Sequence, residues 1–271
     1  MKKLFYILPL LFAAALFSCH LDDSVSSGSG NELAFTKIFT VERDSLKFEV
    51  YSADGTVMHY GYNDIGFKVF VRGTEKKTGY VKYRPEMYHS LGGPGHSSPV
   101  SERYPYNQDY GLFTGYVCFT MISDSSSFWF ADYNYNDSLF ADSVYFQVST
   151  AEGRQLSYWD DVNGGNTYCL TLIKPVSVSS GSNTFSLMLH RTNDDKNFFE
   201  VDSAVMILKT YYFIGGETST GNVNPVWKGG GRYTGSVNFT KSGKWHVQDT
   251  IYRNNNRITK TNPPDFVFTV Y

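Results

Sequence analysis

The densest set of reactive side chains in this 271-residue sequence lies in Pro85-Glu-Met-Tyr-His-Ser-Leu-Gly-Gly-Pro-Gly-His96, which brings Met87, His89 and His96 into one short stretch. A thioether and two imidazoles are soft-to-borderline donors. Such a set suits copper better than calcium or magnesium, because ligand softness has to match the ion. Met87 and His89 are two positions apart, so an extended backbone turns them to one side, and Gly92, Gly93 and Gly95 let the chain fold His96 back toward them. His59, preceded by Met58, is available as a fourth donor. The competing reading is a Gly/Pro loop with two solvated histidines and a packed methionine.

A second set is aromatic. From Arg103 the chain carries Tyr104, Tyr106 and Tyr110, with Tyr133 and Tyr135 beyond Trp129. Aromatic faces stack on sugars or anchor a protein partner, although tyrosine is equally at home packed on a pleated sheet. Enzyme signatures are absent: there is no His-Glu-x-x-His, no Gly-x-Ser-x-Gly elbow and no phosphate-binding loop. Asp160-Asp161 and Asp194-Asp195 sit in turn-like contexts. The expectation is a non-enzymatic protein.

The elements that must position these residues are strands. From Leu33 onward no long stretch has helical periodicity, while alternating apolar residues recur, as in Phe67-Val69-Val71, Phe185-Leu187-Leu189 and Phe266-Phe268-Val270. Ala53-Asp-Gly55, Asn163-Gly-Gly165 and Lys241-Ser-Gly243 punctuate them as turns. The chain reads as all-β. Gly111-Leu-Phe-Thr-Gly-Tyr-Val-Cys-Phe-Thr120 matches Gly231-Arg-Tyr-Thr-Gly-Ser-Val-Asn-Phe-Thr240 at six of ten positions, 120 residues apart. Each copy is followed by a strand bearing a tryptophan, Trp129 or Trp245, and the second reaches it four residues sooner. Two tandem β-sandwiches of one design follow. Pro175 cannot donate to a ladder, which suggests a junction there: residues 33–174 for the first domain and 175–271 for the second.

Ahead of them, Lys2 and Lys3, an apolar run from Leu4 to Phe17 and then Ser18 have the layout of an export signal over residues 1–18. The run is short of the roughly 20 residues a spanning helix needs. Leu16-Phe-Ser-Cys19 resembles a bacterial lipobox, so Cys19 is the expected lipidation site and membrane anchor. Residues 19–32, rich in Ser and Gly, read as a flexible tether. Asp22 and Asp23 resemble the signal that sends Bacteroidetes-type lipoproteins to the outer face of the outer membrane. The expected location is the cell envelope, on the outer membrane.

Loss of the signal removes two lysines and no acid, moving the formal charge from -2 to 22 − 26 = -4. No basic patch is evident, and without a positive field nucleic acid and anionic lipid headgroups are poor partner candidates. Cys118 and Cys169 are the remaining cysteines, in a compartment that permits disulfides, and pairing is left open. Six segments, beginning at Asp23, Asp44, Asp137, Asp142, Asp202 and Asp249, resemble the O-glycosylation acceptor of Bacteroidetes envelope proteins.

The strand ending in Pro85-Glu-Met87, the element His96-Ser-Ser-Pro99 and the strand Gly115-Tyr-Val-Cys-Phe-Thr120 together resemble the YtkA-like (FixH-like) immunoglobulin-type domain of Bacteroidetes lipoproteins. Gly181-Ser-Asn183, Asn222-Val-Asn-Pro-Val226 and Gly231 to Trp245 extend the likeness to the second copy. The resemblance implies two immunoglobulin-like sandwiches and copper binding or delivery through the Met/His loop of the first. The corresponding loop of the second, Lys209 to Gly221, has neither methionine nor histidine. The rival expectation is a surface module that binds a glycan or protein, or a structural subunit of an envelope assembly.

Overall fold

The computed structural model describes residues 33–271 except Leu91 and Pro94, with the backbone alone at Asp142 and Ser143. The export signal, Cys19, the tether and the Asp23 segment lie outside the described residues.

The described residues form strands and no helix. The first sandwich comprises β1 (Thr36–Arg43), β2 (Leu46–Ser52), β3 (Met58–His59), β4 (Gly61–Val71), β5 (Thr74–Lys76), β6 (Tyr80–His89), β7 (His96–Ser97), β8 (Tyr104–Asn107), β9 (Leu112–Phe119), β10 (Ser127–Tyr135), β11 (Leu139–Phe146) and β12 (Val148–Ser149). The second comprises β13 (Leu156–Asp160), β14 (Thr167–Lys174), β15 (Gly181–Thr192), β16 (Phe199–Glu200), β17 (Val205–Tyr212), β18 (Val223–Gly229), β19 (Arg232–Phe239), β20 (Gly243–Arg253), β21 (Asn256–Arg257) and β22 (Asp265–Val270).

In the first sandwich β1-β2-β4-β9-β8 form one layer and β6-β10-β11 the other; in the second β13-β14-β15-β19-β18 are packed on β17-β20-β22. Named in chain order from the second strand, both are the ABED and CFG sheets of a seven-stranded immunoglobulin-like domain, each with one extra strand before A. Alternation explains the layers. Phe67 and Val69 of β4, Tyr83 of β6 and Trp129 and Tyr133 of β10 point into one core; Phe185 and Leu187 of β15, Tyr233 of β19, Trp245 of β20 and Phe266 of β22 fill the other. Each such side chain contributes roughly 1.5–3 kcal/mol when fully buried.

The repeat extends further than its ten-residue match. Asn63 Nδ2 donates to the carbonyls of His59 and Gly61, and its Oδ1 accepts from the His59 amide; Asn183 makes the same three bonds to Ser179 and Gly181, again 120 residues on. Trp129 Nε1 donates to the Met121 carbonyl and Trp245 Nε1 to the Lys241 carbonyl, both at 3.0 Å. Met121 and Lys241 therefore hold the same place in the two copies.

The junction expected at Pro175 is displaced. β13 and β14 pair with β15, and Tyr168, Leu170 and Leu172 belong to the second core, so the crossover lies between Ser149 and Leu156. Proline does end β14, but β14 is the A strand of the second sandwich, not the last strand of the first.

The two ABED sheets meet through their outer faces. Tyr62, Tyr116 and Cys118 pack on Ile173 and Met188. The Tyr116 hydroxyl donates to Glu200 (2.8 Å) and meets His190 Nε2 (2.9 Å), and Arg232 donates to Tyr62. His190 is sealed in this contact, and burial pushes its pKa down to about 3, so it is neutral there. Cys118 and Cys169 are both free and fully buried. They occupy the less apolar faces of their strands, as alternation requires, but those faces are covered by the neighbouring sandwich.

Candidate functional site

β6 ends at His89 and β7 returns antiparallel to it, with Met87 opposite His96 and Glu86 opposite Ser97. Directly opposed residues share a face, so the backbone places Met87, His89 and His96 on one side, as their spacing predicts. Gly92 turns with φ +76°, and a Cβ at Gly95 would come within 3.1 Å of the Met87 carbonyl, which is why glycines close this return.

The rings of His89 and His96 lie 5.8 Å apart. His89 Nδ1 meets Ser127 Oγ at 2.9 Å. His96 Nδ1 lies 3.1 Å from the Ser97 carbonyl, and its Nε2 lies 3.2 Å from Met121 Sδ. A carbonyl can only accept, so Nδ1 carries the proton and Nε2 presents a lone pair to the sulfur. Burial also lowers the His96 pKa, which keeps the ring neutral, with the Ser97 bond and Asp195 pulling weakly the other way. Beneath the pair, Trp129 meets the His96 ring edge-on at 5.4 Å.

One of the three anticipated donors is replaced. Strand alternation sends the Met87 side chain into the core opposite Trp129, where it is 1% exposed. The thioether at the histidines is that of Met121, 40% exposed, just past the repeated strand β9. Met121 follows the ten-residue match directly, but it lies 25 residues beyond His96 and only the fold brings the two together. His59 stays apart on β3, paired with β12, without a ring contact or hydrogen bond to His89 or His96. Among the described residues no three His, Cys, Asp or Glu side chains are placed to hold a metal, so any site here depends on methionine.

The aromatic candidates are structural. Tyr104 and Tyr133 are fully buried, Tyr135 nearly so, Tyr106 packs on Phe113, and Tyr110 packs on Phe35. An aromatic cluster open to solvent lies elsewhere, on the outer face of the first CFG sheet, where Tyr88, Phe128, Tyr145 and Phe130 form a chain of ring contacts 4.8–6.1 Å apart. Tyr145 is 66% exposed. Arg84 and Glu86, paired at 2.8 Å, border it. These rings come from three strands, which hides the cluster in the sequence.

The acceptor-like segments divide by position. Ser45, Ser138 and Ser203 occupy exposed turns, whereas Asp249 is fully buried in β20.

No family model matches the chain, and no curated protein matches it. Solved structures with partial similarity include the Escherichia coli adhesin FdeC (11% identity, 88% of this chain and 66% of that one, TM-score 0.24). Others are a conserved domain protein from Bacillus anthracis (11%, 87% and 91%, TM-score 0.28) and a DUF4785 family protein from Legionella pneumophila (10%, 80% and 58%, TM-score 0.26). Likenesses this distant carry no inference about activity; the chain itself is a pair of immunoglobulin-like sandwiches.

Proposed function

We propose that the chain is a non-enzymatic envelope lipoprotein, anchored through Cys19, whose first sandwich captures a soft metal ion, copper by preference, at His89, His96 and Met121. The observation that carries this reading is the contact between His96 Nε2 and Met121 Sδ at 3.2 Å. An imidazole nitrogen and a thioether sulfur, both donors that suit a soft cation, meet there. Both Nδ1 atoms are already engaged by oxygen, the outer-shell pattern that fixes the orientation of ligating imidazoles. The likeness to YtkA-like domains supports the same reading, with Met121 in the role expected of Met87.

Chelator-competition titration with Cu(I) tests it. The mature protein competes for the ion, and His96→Ala and Met121→Leu each weaken it by about tenfold or more, the scale on which site residues and their supports act. Competition that is absent, or unchanged in the His89→Ala/His96→Ala/Met121→Leu variant, rejects the reading.

The adhesion-type reading has its own support in the exposed rings of Tyr88 and Tyr145 and the half-buried rings of Phe128 and Phe130 between them, whose composition with Arg84 matches the centre of a recognition surface. Glycan or cell-surface binding lost in Phe128→Ser/Tyr145→Ser, yet intact in the metal-site variants, favours it.

A further inference from the structure

The end of the second sandwich that corresponds to the metal site is built differently. β17 pairs with β20 so that Tyr212 lies opposite Trp245, just as Met87 lies opposite Trp129, which makes Phe213 the counterpart of Tyr88 and Ile214 the counterpart of His89. Phe213 and Ile214 are 62% and 71% exposed. They are not on a loose loop: the Phe213 amide donates to the Lys244 carbonyl (2.8 Å), the Gly216 amide to the Tyr212 carbonyl (3.1 Å) and the Tyr212 amide to the Glu217 carbonyl (2.7 Å). A closed turn thus holds two large apolar side chains in water.

One lysine flanks Phe213 and another flanks Tyr212 just before it. Lys244 Nζ lies 5.0 Å from the Phe213 ring centre, and Lys241 Nζ lies 4.0 Å from that of Tyr212. The nearby acids are already engaged, Glu217 with Lys241 (2.6 Å) and Asp265 with His246 (2.7 Å), while no acid pairs with Lys244 among the described residues. Lys241 and Lys244 reach this turn from β20 and the segment before it, so the local basic character does not show as a run in the sequence.

We infer that this turn is an interfacial membrane-docking element: Phe213 and Ile214 enter the headgroup–acyl boundary of an anionic bilayer, and Lys241 and Lys244 meet its phosphates. Ammonium groups held beside aromatic rings suit that boundary, where long lysine side chains let the charge reach the headgroups while the apolar rings sink. A protein partner is the poorer occupant, since a specific interface needs about 800 Å² per side and two side chains on a turn supply far less. A bilayer demands no complementary shape. An anchor at Cys19 would hold the protein at a membrane, where insertion of this turn orients it.

The test uses the full mature chain with Cys19→Ser, so that no lipid is attached, in co-sedimentation with vesicles of phosphatidylethanolamine and phosphatidylglycerol in equal parts, and with phosphatidylcholine vesicles. Binding to the anionic vesicles is expected, reduced roughly tenfold or more in Phe213→Ser/Ile214→Ser and several-fold in Lys241→Gln/Lys244→Gln. Unchanged thermal melting shows that these surface variants are folded. Absence of binding, equal binding to both vesicle types, or binding indifferent to Phe213→Ser/Ile214→Ser overturns the inference. His89, His96 and Met121 are untouched, so the outcome is independent of the copper reading.

Discussion

The two sandwiches share a frame and differ at one corner. In the first, the end of the C strand and the residue after the E strand supply His89, with His96 returned over it, and Met121; in the second the same places hold Ile214 and Lys241. What stays constant supports the fold, namely Trp129 and Trp245 with their indole bonds and Asn63 and Asn183 with their clasps. What changes is at the surface. Packing and backbone satisfaction tolerate few residue types, whereas a rim position is free to take up new chemistry once the strands beneath it are fixed.

The strongest way to break the comparison is to remove a shared element. Trp129→Ala and Trp245→Ala should each cost about 3–5 kcal/mol in denaturant melts, since each empties a fully buried site and strands a carbonyl. A much smaller loss in either would mean the two copies are not stabilised alike.

The next effect is a difference between the copies. Asp249 holds the place of Tyr133, four residues past the tryptophan, and neither carboxylate oxygen has a partner. Burial raises its pKa to about 7. The folded state therefore keeps a proton that the unfolded chain, with a pKa near 3.9, has already released. The stability contribution is fully present below about pH 4, falls as pH rises toward about 7 and levels off beyond; three units amount to about 4 kcal/mol. Asp249→Asn should stabilise the protein by up to that amount at pH 8 and very little at pH 4. A gain of the same size at both pH values would show that ionisation is not the cause.

The clasps come third. Asn63 is fully buried and Asn183 only half-buried, so Asn63→Ala should cost about 1–3 kcal/mol and Asn183→Ala nearer 1. Equal losses would mean that burial does not distinguish them. The smallest effect on folding is the most informative about the corner itself: Met121→Lys, which installs the second copy's residue in the first, should leave the melt within about 0.5 kcal/mol of the wild type while weakening Cu(I) binding about tenfold, or about 1.4 kcal/mol. Retained affinity would return the sulfur role to Met87.

Much of the frame was legible. Phe67-Val69-Val71, Phe185-Leu187-Leu189 and Phe266-Phe268-Val270 announce strands because one-faced burial imposes a period of two, and the match at Gly111 and Gly231 announces a repeat. The junction was not legible, because Pro175 ends a strand equally well at a domain boundary or inside a sandwich, and only pairing of β14 with β15 distinguishes them. Nor was the sulfur donor. Met87 is next to the histidines in sequence whereas Met121 is 25 residues beyond His96, and alternation gives a face without saying which face is inside.

By itself, then, the sequence determined the all-β class, the two copies, their tryptophans and the pairing of His89 with His96, since those follow from spacing and local backbone geometry. Tertiary structure decided that Met87 is core and Met121 is rim, that Cys118, Cys169 and His190 are sealed between sheets, and that Lys244 and Lys241, distant in sequence, meet Phe213 and Tyr212. Those outcomes depend on which faces meet, and contacts between strands far apart in the chain leave no periodic trace within any one of them.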